Sequence, residues 1–342
     1  MEEFQQSSLS ISPWTQQLAL FKNLAKKYGI AMIALSLNNF VTPFILAVIT
    51  DIIGVITGID FLDMSTEIGY YSAMVLNELS AYVVPILVLW ALFRQERKDF
   101  IPDRTYNPRL YDAVLVFFTS MFAGVVGSLI TELINSGIDA LFGTGEIEEA
   151  FSGMEPVGMG QFGIFAFCIC IVAPVAEEFM FRDLLLKPLR AYGDLTAAVV
   201  SGILFGLYHG NFDQFAYASI VGFFYAVIAI RFNSIIPTMI LHCANNTIVT
   251  CSSYLEGAVK GMSEEVQSVC IAISDVCSVL SIIFMAGGIL GMVFVIAEKC
   301  LKLHNHNPYV PEPHSLVEFV KVPLVIVGIL AMFVPFVMSV IG

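Results

Sequence analysis

Charge is what this chain has least of. Of 342 residues only 13% are charged, 57% are hydrophobic, and the mean hydropathy is +0.82. A soluble domain carries about 25% charged residues. The shortfall excludes an ordinary soluble enzyme and implies a polytopic membrane protein, whose length serves membrane spans rather than several globular domains. Other absences narrow the class further. The seven cysteines contain no C-x-x-C pair. Cys168, Cys170, Cys243 and Cys277 lie in apolar runs, where cysteine acts as a small hydrophobe. Neither a disulfide framework nor a cysteine zinc site is expected. H-E-x-x-H is missing. So is period-two alternation, which argues against a membrane barrel. Residues 1–27 lack an apolar core followed by small residues, so no signal peptide is expected there. The net charge of −13 suggests no nucleic-acid partner.

What is present is a series of uncharged runs. A helix needs about 20 apolar residues to cross a bilayer. Runs at roughly 29–56, 69–93, 110–136, 157–181, 195–211, 214–231, 234–252, 274–298 and 321–341 predict an all-α membrane protein, a polytopic bundle of about 8–9 transmembrane helices. The second run tolerates Glu78. The chain divides into a cytoplasmic segment 1–28, N-terminal spans within 29–136, a central core at 157–252 and C-terminal spans within 274–342. Ser12 and Pro13 read as an N-cap and first position of a helix, with Trp14, Leu18, Phe21 and Leu24 on one face. Such a helix suits a membrane surface, and a frayed tail is the plain alternative.

The loops alternate in sign. Lys22, Lys26 and Lys27 precede the first span, and Arg94, Arg97, Lys98, Arg104 and Arg109 follow the second. Arg182, Lys187, Arg190, Arg231, Lys299, Lys302 and Lys321 continue the basic side. The other side holds Asp60, Asp63, Glu67, Glu146, Glu148, Glu149, Glu155, Asp213, Glu256, Glu264 and Glu265, with Lys260 its single base. The positive-inside rule then predicts a multi-pass protein of the cell membrane with a cytoplasmic N-terminus.

Few ionisable groups lie inside the runs. Residues 156–176 carry no charge, and the run ends in Glu177, Glu178 and Arg182. His209, His242, Asn245 and Asn246 lie in three-run company with them. At 1.5 Å per residue, Glu177, His209, His242 and Asn246 fall about 12–20 Å from the basic face. Glu178 and Arg182 are four apart and can pair, and His242 and Asn246, also four apart, share one helix face. Glu177 is turned about 100° from Glu178, which leaves it chemically available. A carboxylate, two imidazoles and an amide can activate water and stabilise an oxyanion. Glu177, His209 and His242 can alternatively ligate zinc. The plain readings are a buried ion-pair cluster, a water-facing histidine, and interhelical hydrogen bonding.

These residues resemble the motifs of the intramembrane CAAX-protease and bacteriocin-processing family, which contains the type II prenyl-protein endopeptidase. EExxxR reads as Glu177-Glu178-Phe-Met-Phe-Arg182, FxxxH as Phe205-Gly-Leu-Tyr-His209, and HxxxN as His242-Cys-Ala-Asn-Asn246. The resemblance covers about 157–252 and places the core on the fourth, fifth and seventh spans. It implies a glutamate- or metal-dependent peptidase acting on a membrane-associated peptide or protein. Glu177 and His209 would activate water, His242 and Asn246 would hold the oxyanion, and Glu178, Arg182 and Phe205 would support them. The rival expectations are an inactive scaffold or immunity protein of the same fold, and a proton-coupled transporter. His304, His306 and His314 read as a solvated loop, and Gly287, Gly288 and Gly291 as a close-packing face.

Overall fold

An apolar run in lipid must close its own backbone hydrogen bonds, and a helix does so. The computed structural model describes residues 12–99, 108–143, 154–297, 303–305, 307–310 and 312–341, and every regular element among them is helical. Arg104, Glu146, Glu148, Glu149, Lys299, Lys302 and His306 lie outside the described residues, as does the side chain of Lys98. The helices are α1 (Pro13–Thr57), α2 (Glu67–Arg97), α3 (Leu110–Phe142), α4 (Met159–Arg190), α5 (Asp194–Tyr208), α6 (Phe212–Phe232), α7 (Ile236–Ala258), α8 (Glu264–Ala297), and the shorter α9 (His314–Val320), α10 (Pro323–Met332) and α11 (Val334–Ile341).

Each of the nine apolar runs overlies a helix, and the chain is an all-α, multi-pass membrane protein. Six described helices are long and apolar enough to span, or seven if the pair bent by 73° between α9 and α10 is one span. Two of the nine runs fall outside this set by length and composition, for local reasons. The 15 residues of α5 rise only about 22 Å, short of a 30 Å hydrocarbon core. The polar row of α7, from Thr238 through His242 and Asn246 to Thr250, dilutes its apolarity.

Residues 13–28 form the first turns of α1. Ser12 caps them, its hydroxyl accepting from the Thr15 N–H at 3.2 Å. Phe21 and Leu24 are buried, with Phe21 against Tyr192 and Phe319, while Trp14 is exposed. The basic residues at this end find acids: Lys22 with Glu318 at 3.0 Å, Arg190 with Asp194 at 2.8 Å, Lys27 with Glu96, and both Arg97 and Lys187 with Asp183. The tightest helix pairs are α3 with α6 and α8, α5 with α6, and α1 with α10. On α8, a Cβ at Gly288 would fall 2.3 Å from the Phe118 carbonyl, so the glycine face is where α3 packs.

Three wide π-turns interrupt the central helices, at Leu79–Val83, Cys168–Val172 and Phe179–Leu185. Proline explains the first two. Pro85 has no N–H, so the carbonyls of Ser80 and Ala81 lose their helical partner. Side chains from other helices replace it: Asn38 Nδ2 donates to Ser80 at 2.9 Å, and the Tyr208 hydroxyl donates to Ala81. Pro174 acts alike. The Ala173 N–H bonds Cys168 in the wide register, so Ile169 is the carbonyl that Pro174 leaves bare, and Asn246 Nδ2 donates to it at 2.9 Å. Each replacement ties the broken turn to a neighbouring helix.

If this reading holds, Asn38→Ala lowers the melting temperature of the detergent-solubilised protein by an amount worth about 1–3 kcal/mol, the cost of a buried unsatisfied acceptor. Pro85→Ala, which restores an N–H, should shrink that loss. Equal losses in both backgrounds would show that the proline does not create the need for Asn38.

Candidate functional site

Glu177 and Glu178 sit on the regular helical stretch Ala173–Glu178 that follows the wide turn, so they point about 100° apart. Glu178 has no exposed surface and faces Arg182, its Oε2 lying 3.2 Å from the guanidinium Nε. Its other oxygen, Oε1, receives His242 Nδ1 at 3.1 Å. Glu177 is 8% exposed and borders a cavity of about 540 Å³. Tyr82 donates its hydroxyl to Glu177 Oε1 at 2.8 Å, and His242 Nε2 stands 3.7 Å from Oε2. One imidazole therefore touches both carboxylates. Its Nδ1 carries the hydrogen that Glu178 accepts, and Nε2 is the nitrogen left for the cavity.

His209 caps α5. Its Nδ1 is 2.8 Å from the Phe205 carbonyl, which can only accept, so the hydrogen sits on Nδ1 and Nε2 keeps its lone pair. The short α5 reaches this position because it lies very close to α6. A Cβ at Gly206 would meet the Phe215 carbonyl at 2.5 Å. Phe205 lies between the ion pair and the cavity. Its ring is 4.6 Å from the Arg182 carbon centre, 5.0 Å from the His209 ring and 5.8 Å from the His242 ring. A cation over an aromatic face gains about 2 kcal/mol when desolvated. Arg182 also donates to the Gly222 carbonyl at 3.3 Å, which brings in α6.

The cavity thus borders Glu177, Phe205, His209, His242, Asn245 and Asn246 together. Glu178 and Arg182 stand behind that wall. The amide of Asn246 is engaged with Ile169, and Asn245 Nδ2 is 3.4 Å from Asn246 Oδ1. Reading the sequence missed three neighbours that line the same space: Tyr82, Tyr208 and Glu78 as a site residue. Glu78 carried a signal, being an acid within an otherwise apolar span. The tyrosines carried none, since rings in spans mostly pack or sit at the interface.

The zinc alternative fits less well. A catalytic zinc asks for three ligands at about 2.0–2.2 Å. No group of three or more His, Cys, Asp or Glu residues among the described ones is arranged to hold a metal ion. His242 spends Nδ1 on Glu178, and Glu177 spends Oε1 on Tyr82. His304 and His314 form no such group either, and His314 pairs with Glu318 at 3.8 Å.

Fold and site together define a helical membrane protein with a carboxylate–imidazole centre sunk among its spans. Within this chain, residues 160–248 match the family described as Type II CAAX prenyl endopeptidase Rce1-like, the same segment and family that the three motifs resemble. That family is one of CAAX-type intramembrane endopeptidases. No curated protein and no solved structure matches the chain.

Arg182→Met leaves the Glu178 charge buried without its partner, a change that costs about 3–5 kcal/mol. It should sharply lower the melting temperature of the purified protein, and Glu178→Leu combined with Arg182→Met should recover most of the loss. An unaltered melting temperature in Arg182→Met would remove the ion pair from the core's support.

Proposed function

We propose that this chain is an intramembrane endopeptidase that hydrolyses a peptide bond of a membrane-associated peptide or protein. The observation that supports it most is the meeting of Glu177, His209 and His242 from three helices at one cavity, inside the segment that the family match covers. Glu177 and the free Nε2 of His209 take the proton as a water molecule attacks the scissile carbonyl. A positioned base of this kind contributes about 10²–10⁴-fold. The oxyanion is met by His242 Nε2, once protonated, and by the side chains of Asn245 and Asn246, two residues that line the same cavity. The C–N bond then breaks, and the leaving amine takes back the proton that the base removed.

In this reading Glu178 and Arg182 are positioning residues. They fix the tautomer and tilt of His242 through the 3.1 Å contact at Nδ1. Tyr82 orients Glu177 in the same way. The protein sits in the cell membrane with its N-terminus in the cytoplasm, which the basic loops support. The substrate reaches the site from the bilayer.

Glu177→Gln and His209→Ala should each reduce cleavage at least 100-fold while leaving abundance and melting temperature unchanged. Comparative proteomics of membranes carrying wild-type or Glu177→Gln protein reads the activity and reveals the substrate together. Undiminished cleavage in both variants sinks the assignment. A cellular phenotype that survives in both, without any cleavage, favours the scaffold.

A further inference from the structure

The cavity is long, and it runs in one direction from the site. On α4 its lining extends from Glu177 back to Phe165, and on α7 from His242 forward to Tyr254. Each stretch corresponds to about 18 Å of helix. The near end stops on the Phe205 ring, with the buried pair of Glu178 and Arg182 behind it. The far end reaches Tyr254, close to the end of α7 at Ala258, and Gln214, close to the start of α6 at Phe212. Asp213, Glu256, Glu264 and Glu265 lie at those helix ends, so the cavity points toward the acidic loops.

The lining stays polar beyond the site. Asn77, Ser128, Gln214, Tyr217, Thr250 and Ser253 border the same space, and none has a task in the hydrolysis described above. Ser253, Thr250 and Asn246 follow one another at helical spacing on one face of α7. Gln214 Oε1 receives Asn211 Nδ2 at 3.0 Å, and Gln214 Nε2 donates to the Tyr217 hydroxyl at 3.2 Å. Those two bonds stay within the first turns of α6 and tie no second helix, so interhelical hydrogen bonding does not account for them.

The turn between α5 and α6 is an independent observation. Because α5 rises only about 22 Å from the basic end, Gly210 and Asn211 stop roughly 8 Å short of the far edge of a 30 Å hydrocarbon core. Backbone outside a helix is tolerated at that depth only where protein buries it or it lines a water-filled cavity. Gly210, Asn211 and Asp213 are half-buried rather than buried, and His209 and Gln214 on either side of Gly210 line the cavity. A volume of about 540 Å³ has room for more than ten water molecules at about 30 Å³ each.

We propose that the cavity is the water supply of the site: water enters at the acidic-loop end past Gln214 and Tyr217, and follows Ser253, Thr250 and Asn246 along α7 to His209 and Glu177. This deepens the peptidase reading and rests on it. Hydrolysis consumes one water for each bond cut, and a bilayer holds almost none. The two reactants then arrive separately, the peptide from the bilayer and the water from the end of the bundle.

The test uses the full chain in its own membrane, with one added cysteine at a time: Gln214→Cys and Ser253→Cys on the path, Ile203→Cys on the lipid-facing side of α5, and Lys260→Cys in the exposed loop after α7. A thiol reacts as its thiolate, which forms in contact with water. A membrane-impermeant cationic methanethiosulfonate is added to one face or the other, and site-resolved mass spectrometry separates each added thiol from the seven native cysteines. Gln214→Cys and Ser253→Cys should be labelled at least 10-fold faster than Ile203→Cys, and from the same face as Lys260→Cys. Labelling no faster than at Ile203→Cys, or from the opposite face alone, overturns the proposal. In the cleavage assay, the label on Ser253→Cys should lower kcat at least fivefold beyond its effect on the wild type, and a reducing agent that removes it should restore the rate. Full activity with the label in place overturns the path as the supply of the reacting water. Fast labelling in a chain that cuts no peptide sustains the water path and moves the failure to the peptidase reading.

Discussion

A guanidinium with no access to water governs the centre of this protein. Arg182 has no exposed surface, and neither does its partner Glu178. Removing one of two such charges is costly, so the pair holds its neighbours in place. Arg182 takes Glu178, the Gly222 carbonyl and the Phe205 ring. Glu178 takes His242. Those contacts join α4, α5, α6 and α7, and they leave Glu177, one residue earlier and turned away, on the cavity side. The adjacent carboxylates differ in surroundings: Glu178 is held by Arg182 and His242, while Glu177 borders the cavity.

The same economy appears in the backbone. Pro85 and Pro174 each remove a donor from a wide turn, and the bare carbonyls are met by Asn38, Tyr208 and Asn246. In lipid no water can do this. π-Turns are often found at functional sites, where they redirect side chains that a regular helix would align differently. Here one of them precedes Glu177 and another precedes Pro85 on the helix that supplies Glu78 and Tyr82. Asn246 both borders the cavity and meets the bare carbonyl of the turn on α4.

Much of this was legible in the residues before any coordinates. Long uncharged runs dictate helices because nothing else satisfies the backbone in a bilayer, and all nine runs overlie helices. Glu178 and Arg182, four apart, meet as helical spacing requires. What the sequence concealed depends on relations across helices. Apolarity alone does not show that α5 rises only about 22 Å or that α7 carries a polar row, so runs and spanning helices need not match one to one. The double contact of His242 needs the relative rotation of α4 and α7, which no spacing along one chain encodes. Tyr82 was invisible because a tyrosine in a span looks the same whether it packs or orients a carboxylate. Glu78 was visible as an oddity, but its place beside Glu177 follows only from the packing of α2 against the core.

The central claim is that Glu177 and His209 act on one water molecule in one cavity. Residues that act as a unit are strongly non-additive. The most direct measurement is therefore kcat for Glu177→Gln, His209→Ala and the double variant on one substrate in liposomes. Joint action predicts a double variant within about threefold of the slower single variant. A double variant slowed by the product of the two single effects would contradict it, and would assign the two residues to separate steps.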